Sequence, residues 1–178
     1  PNVLKNYRPI SNLPFLFKTI ERAASNQIQD YVIDNDLNAS HQSAYRKYHS
    51  TETALLRVSN DILRAVDNHH RVIVVLLDLS AAFDTIDHTV LLQRLQNRFG
   101  ISGTVLRWMT SYFHEREQCI TIDGVKSDWK RVDCGVPQGS VFGPMAFSYY
   151  SAPIEDIIKA HGLECMIYAD DTQIYFCF

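Results

Sequence analysis

Residues 166–176 read Met166-Ile167-Tyr168-Ala169-Asp170-Asp171-Thr172-Gln173-Ile174-Tyr175-Phe176, two apolar and aromatic arms around an acidic tip. Short runs rich in β-branched and aromatic residues, broken by a compact polar pair, predict a hairpin with strands over 164–168 and 172–177. Adjacent aspartates are a costly choice for a tight turn. Asn or Gly would reverse the chain without like-charge strain, so the doublet needs a solvated tip or a compensating cation. Far upstream, Val72-Ile73-Val74-Val75-Leu76-Leu77 forms a second apolar run and ends at Asp78. Its uniformity predicts a central strand over 71–79, covered on both faces.

Either acidic site alone is ordinary strand-end or turn chemistry. If the strands neighbour one another in one sheet, however, three carboxylates converge, and repulsion with lost hydration disfavours their charged forms unless a cation is present. Mg²⁺ prefers hard oxygen ligands and keeps positions open for water and substrate phosphates. Two or three clustered aspartates are therefore the usual protein half of a two-metal phosphoryl-transfer site.

The rest of the chain supplies a helical frame. Ile20, Ala24, Ile28 and Tyr31 recur at helical spacing and predict a helix over 15–33. Ser50 or Thr51 caps a second, with Ala54, Val58, Ile62 and Val66 on one face. Asp87 or Thr89 opens a third that carries Leu91, Leu92, Leu95 and Phe99 to a stop at Gly100. Ser102 caps a fourth, with Val105, Trp108, Met109 and Tyr112 inward. Residues 119–122 and 129–134 flank Asp123-Gly124 and suggest a hairpin. Residues 135–140 form a loop, followed by a helix through 145–150, a break near Pro153 and a shorter helix ending at Gly162.

Composition narrows the class. The 178 residues are 46% apolar and 21% charged, ordinary globular values, and the formal charge is -3. A net acidic chain does not attract polyanions as a whole, so contact with nucleic acid falls to local basic positions. Cys119, Cys134, Cys165 and Cys177 include no C-x-x-C pair, which argues against a zinc site and fits a reducing compartment. No apolar run approaches the ~20 residues that span a bilayer, and the first residues lack a signal peptide's apolar region. The chain reads as soluble and intracellular, with no membrane partner.

Tyr168-Ala169-Asp170-Asp171 resembles the Y-x-D-D box of reverse transcriptases, and Asp78-Leu79-Ser80-Ala81-Ala82-Phe83-Asp84 resembles their first catalytic strand. Gly135-Val136-Pro137-Gln138-Gly139-Ser140 is similar to the family's P-Q-G loop. Asn6-Tyr7-Arg8-Pro9-Ile10-Ser11 and His41-Gln42-Ser43-Ala44-Tyr45-Arg46 resemble its fingers motifs. Five ordered motifs make coincidence improbable, and together they are most similar to non-LTR, LINE-type retrotransposon polymerases.

The resemblance implies an α+β fold: the fingers and palm of a right-hand polymerase, an antiparallel palm sheet backed by helices on one face, and no thumb. Residues 1–70 would be a fingers portion and 71–178 the palm, with some fingers segments interleaved, in one domain truncated at both ends. It implies RNA-directed DNA polymerase activity with Mg²⁺, or Mn²⁺ as a substitute, held by Asp78, Asp170, Asp171 and the Leu79 carbonyl. Phe83 would exclude the 2′-hydroxyl of an incoming nucleotide, Gln138 and Gly139 would touch nucleotide and template, and Arg8 and Arg46 would grip the triphosphate. The implied partners are an RNA template, a DNA primer, dNTPs, and the thumb and endonuclease of a larger retroelement protein. Nucleus and cytoplasm are the implied locations.

Two other classes fit parts of the pattern. A truncated or decayed remnant would fold and bind nucleic acid without turnover. A phosphoacceptor or phosphatase domain would use Asp78 as nucleophile, but it requires a parallel doubly wound sheet, against which the hairpin around Asp170 speaks.

Overall fold

The computed structural model describes residues 9–79 and 81–178. Arg8 and Ser80 lie outside the described residues. Among the described residues, six helices and seven strands follow in the order α1 (Phe15–Asp34), α2 (Thr51–Asp67), β1 (Val72–Asp78), α3 (His88–Asn97), α4 (Gly103–Phe113), β2 (Glu117–Gln118), β3 (Thr121–Ile122), β4 (Val125–Lys126), β5 (Lys130–Arg131), α5 (Gly143–Ser151), α6 (Pro153–Ala160), β6 (Glu164–Tyr168) and β7 (Asp171–Cys177). None of these helices is long and apolar enough to cross a membrane.

The main sheet is antiparallel throughout, in the order β1-β7-β6. The apolar run 72–77 is thus an edge strand rather than a central one, and it is not covered on both faces: Ile73, Val74, Val75, Leu76 and Leu77 are all exposed, Leu76 at 73%. The center belongs to β7. Side-chain alternation in β6 feeds two separate cores. Met166 packs with Tyr175, Ala54 and Val58 under α2, while Cys165 and Ile167 pack with Ile158 of α6. Helices therefore cover both faces of β6 and β7, where one helical layer was expected.

A third and larger core is mostly helical, built from Ile28 and Val32 of α1, Leu91 and Leu95 of α3, Met109 and Tyr112 of α4, and Met145 and Phe147 of α5. Helix α1 forms where its periodicity predicts, but it buries the face through Glu21, Ser25, Ile28 and Val32, leaving Ile20 and Tyr31 exposed. The cause is Glu21. Its carboxylate, 1% exposed, accepts the Tyr112 hydroxyl at 2.6 Å and the Val141 N–H at 2.8 Å, so the polar residue turns inward and rotates the helix. A buried polar group held by two donors is tolerated where an unpaired one is not. On α4, Val105 is exposed although the pattern placed it inward, and Val66 of α2 is likewise exposed.

Capping follows the sequence at α2 and α3, whereas Ser102 stands at the N-cap of α4 without a side-chain capping bond. Ser50 and Thr53 form a reciprocal capping box at α2, and the Asp87 side chain accepts the Val90 N–H at α3. Asp123 and Gly124, at φ 48° and 82°, turn a small hairpin in which β3 pairs β4 and β2 pairs β5. The expected turn is right, and the second arm has two parts: Val125–Lys126 beside the turn, and Lys130–Arg131, within the expected 129–134, paired with β2. Cys134 instead forms an isolated bridge with Asp87, which starts the segment leading into the 135–140 loop.

Candidate active site

Strand register brings the first carboxylates together. In the β1-β7 ladder Asp78 stands directly opposite Asp171. Directly opposed residues of an antiparallel pair point to the same face with Cα atoms roughly 4.5–5.5 Å apart. In the adjoining ladder Tyr168 faces Asp171, so β6 and β7 are joined by the two-residue turn Ala169-Asp170. Asp170 therefore sits one residue from the Asp78–Asp171 pair, half-buried, while those two are exposed. None of the three joins a salt bridge among the described residues. Leu79 follows Asp78 and is exposed.

Opposed carboxylates without a cationic partner are a donor set suited to a hard divalent ion, and Mg²⁺ is commonly held by one or two carboxylates with water and substrate phosphates completing its shell. Among the described residues no group of three His, Cys, Asp or Glu side chains forms a ready-made metal cage. The protein contributes a ledge of acids and not an enclosure.

The second side of the site is the loop 39–46. His41, Gln42, Ser43 and Ala44 are buried. Residues 41–43 run as a short parallel strand along the outer edge of β6: the Ile167 N–H donates to the His41 carbonyl and the Ser43 N–H to the Ile167 carbonyl, both at 2.9 Å. The Gln42 side chain then reaches the Ala169-Asp170 turn. Its Oε1 accepts the Ala169 N–H at 3.1 Å and its Nε2 donates to the Ala169 carbonyl at 3.2 Å. Tyr45, at φ 61°, lies beside the tip; burial, then the charge of Asp170, push its phenol pKa up. Neither role is readable from the sequence, because both depend on a turn far along the chain.

Behind this loop lies a polar chain in which His41 and Glu155 are buried and Arg57 is exposed. The His41 Nδ1 is 2.6 Å from Glu155 Oε1, and its Nε2 is 2.6 Å from Arg57 Nη2. Arginine can only donate, so Nε2 accepts and Nδ1 carries the proton toward Glu155. Burial raises the Glu155 pKa, but bonds from Lys159, Ser40 and His41 outweigh it and hold the group at about 2.

The remaining expected site residues are placed as follows. Phe83 is half-buried at the rim of the helical core, its ring 5.4 Å from Phe147. Gln138 accepts the Ser11 N–H on its backbone carbonyl at 2.9 Å and extends its amide to within 3.4 Å of the Asp84 carboxylate. Gly139 adopts φ 94°, which favours glycine. Arg46 directs Nη1 into its own loop, donating to the Ala39 and Gln42 carbonyls at 3.1 Å. That contact shapes the loop and leaves the other guanidinium donors for an anion. Arg8 lies outside the described residues.

A family profile described as reverse transcriptase (RNA-dependent DNA polymerase) matches residues 1–177. The chain is 32% identical over 180 residues to an RNA-directed DNA polymerase from mobile element jockey of Drosophila melanogaster. It is 31% identical over 177 residues to a probable RNA-directed DNA polymerase from transposon BS of the same fly. These alignments cover 98% and 97% of this chain but 19% of each relative, so the chain spans about a fifth of their length. Among solved structures it is similar to apo telomerase from Candida tropicalis truncated from its C-terminal domain, with a TM-score of 0.63 over 86% of this chain and 34% of that one. At 14% identity that likeness speaks to fold alone. An acid-tipped hairpin paired to an acid-ended strand, in a chain matched almost end to end by one profile, belongs to the reverse transcriptase family, among the non-LTR retrotransposon type.

Proposed function

We propose that this chain is the fingers and palm of an RNA-directed DNA polymerase from a LINE-type retroelement, adding dNTPs to a primer 3′-hydroxyl on an RNA template. The observation that carries the proposal is the register pairing Asp78 with Asp171, one residue from Asp170. In this reading Asp78, Asp170 and Asp171 hold two divalent cations, Mg²⁺ or Mn²⁺, with the Leu79 carbonyl as a further ligand. The bound ions supply charge neutralisation for in-line phosphoryl transfer. The protein's own contribution is positioning. Gln138 and Gly139 border the nucleotide, Arg8 and Arg46 face the triphosphate, and Phe83 closes the space a 2′-hydroxyl would need. The thumb and endonuclease of a longer protein are the remaining partners, with action in nucleus and cytoplasm.

Grafted into a polymerase that supplies a thumb, this segment is expected to extend a DNA primer on RNA only with Mg²⁺ or Mn²⁺. Asp170→Asn should reduce extension to background, and full activity in that variant would remove the assignment. In the same assay Phe83→Ala should incorporate rNTPs. Unchanged discrimination between rNTP and dNTP would mean that the ring serves only the core beside Phe147.

A further inference from the structure

We propose that Gln42 is a positioning residue for the catalytic carboxylates, acting through the backbone of Ala169; its catalytic half rests on the polymerase reading above. The turn between β6 and β7 has two residues, and its first, Ala169, adopts φ 57°. Two-residue hairpin turns require positive φ at that place and glycine is the residue that adopts it freely. An alanine there is strained, and strained backbone persists only where the surroundings over-determine it. Gln42 supplies that determination. A side-chain amide offers one acceptor and one donor group, and both go to the same residue: Oε1 takes the Ala169 N–H and Nε2 gives to the Ala169 carbonyl.

The amide cannot easily reverse. Its Oε1 also accepts the Ala44 N–H at 2.9 Å, so a flipped amide would set donor against donor twice and acceptor against acceptor once. Gln42 itself is 5% exposed and held by the backbone bonds of His41 and Ser43 to Ile167. The clamp thus stands on the sheet whose tip it fixes. Asp170 follows Ala169 directly and Asp171 opens β7 opposite Asp78, so the two peptide groups that Gln42 grips set the direction in which both carboxylates are displayed. A buried glutamine used only for packing would need no second bond to the same residue.

The test has two independent readouts. In the ¹⁵N-labelled chain, Gln42→Ala should accelerate hydrogen exchange of the Ala169 amide by about tenfold or more, with Cys165 and Ile167 amides within twofold of the parent. Gln42→Glu keeps the acceptor for the Ala169 N–H but turns an oxygen toward the Ala169 carbonyl, so it should restore Ala169 protection in part. In the grafted polymerase, Gln42→Ala should lower kcat by about tenfold or more and raise the Mg²⁺ concentration needed, with KM for dNTP within twofold, and Gln42→Glu should fall between it and the parent. Unchanged Ala169 exchange overturns the clamp. Released Ala169 with an unchanged kcat overturns its positioning role. Uniformly faster exchange in both variants would make Gln42 a general stability residue and also reject the proposal. A parent graft that extends no primer under any divalent ion rejects the polymerase reading, while the exchange experiment still decides the clamp.

Discussion

Glu155 shows how one side chain can carry a measurable share of stability. It is 3% exposed, accepts from Ser40, His41 and Lys159, and titrates at about 2 against an ordinary 4.5. A depressed folded-state value stabilises above the unfolded pKa and loses that contribution as pH falls through the folded one. The window is therefore pH 4.5 down to about 2, and the difference is worth about 3 kcal/mol. Urea unfolding at pH 7 and pH 3 is the measurement. Glu155→Gln should lower the pH 7 midpoint by an amount equivalent to roughly 2–4 kcal/mol and flatten the acid limb of the stability curve. Equal acid sensitivity in parent and variant would place the titrating group elsewhere. At this scale the acids of the candidate site were legible because each ends an apolar run. Gln42 and Glu155 were not. An amide or carboxylate in a polar stretch carries no signal until its partners, 127 and 114 residues away, are known.

Elements were legible where local chemistry decides them and misread where tertiary contacts do. The capping box at Ser50 and the positive-φ pair Asp123-Gly124 are short-range facts, and both stand where the pattern put them. The face of α1 is not short-range: the buried Glu21 bridge to Tyr112 and Val141 turns the helix away from its apolar stripe. For β1, uniform apolarity correctly indicates a strand but not its place in the sheet. A comparable contrast applies to two glycines in left-handed backbone. A Cβ on Gly135, at φ 83°, would stand 2.9–3.1 Å from the backbone of Asp84, whereas one on Gly124, at φ 82°, would meet nothing within 4 Å. Both alanine variants bear the conformational cost of about 1 kcal/mol, and Gly135→Ala adds a backbone clash for a total of roughly 2–4 kcal/mol. Thermal unfolding should show the larger drop in Tm for Gly135→Ala; equal losses would mean that residues 81–86 yield to the added methyl.

Across the whole molecule, the sheet is supported unevenly. Strands β6 and β7 are enclosed by α2 and α6, while β1 lines the edge with exposed apolar side chains and, among the described residues, no strand beyond it. At a net -3 the overall field does not attract a polyanion, so the nucleic-acid contact of the proposed function would fall to local basic positions. The general architecture was legible through the resemblance of five ordered motifs to reverse transcriptases, while the residues alone indicated the hairpin around Asp170-Asp171 and a strand ending at Asp78. What the sequence pattern leaves open is which strand is central, a question of neighbours and not of propensity.

The pairing of β1 with β7 and of residues 41–43 with β6 sets a timetable for acquiring structure. Helices α1 to α4 can form from local contacts, but β7, the strand that β1 requires, comes after four helices and five strands that follow β1 in the chain. Closing such distant segments is entropically expensive and slow, so this topology belongs to late-folding architectures. During synthesis on the ribosome, β1 emerges long before its partner, and the three aspartates share no common surroundings until Cys177 has left the exit tunnel.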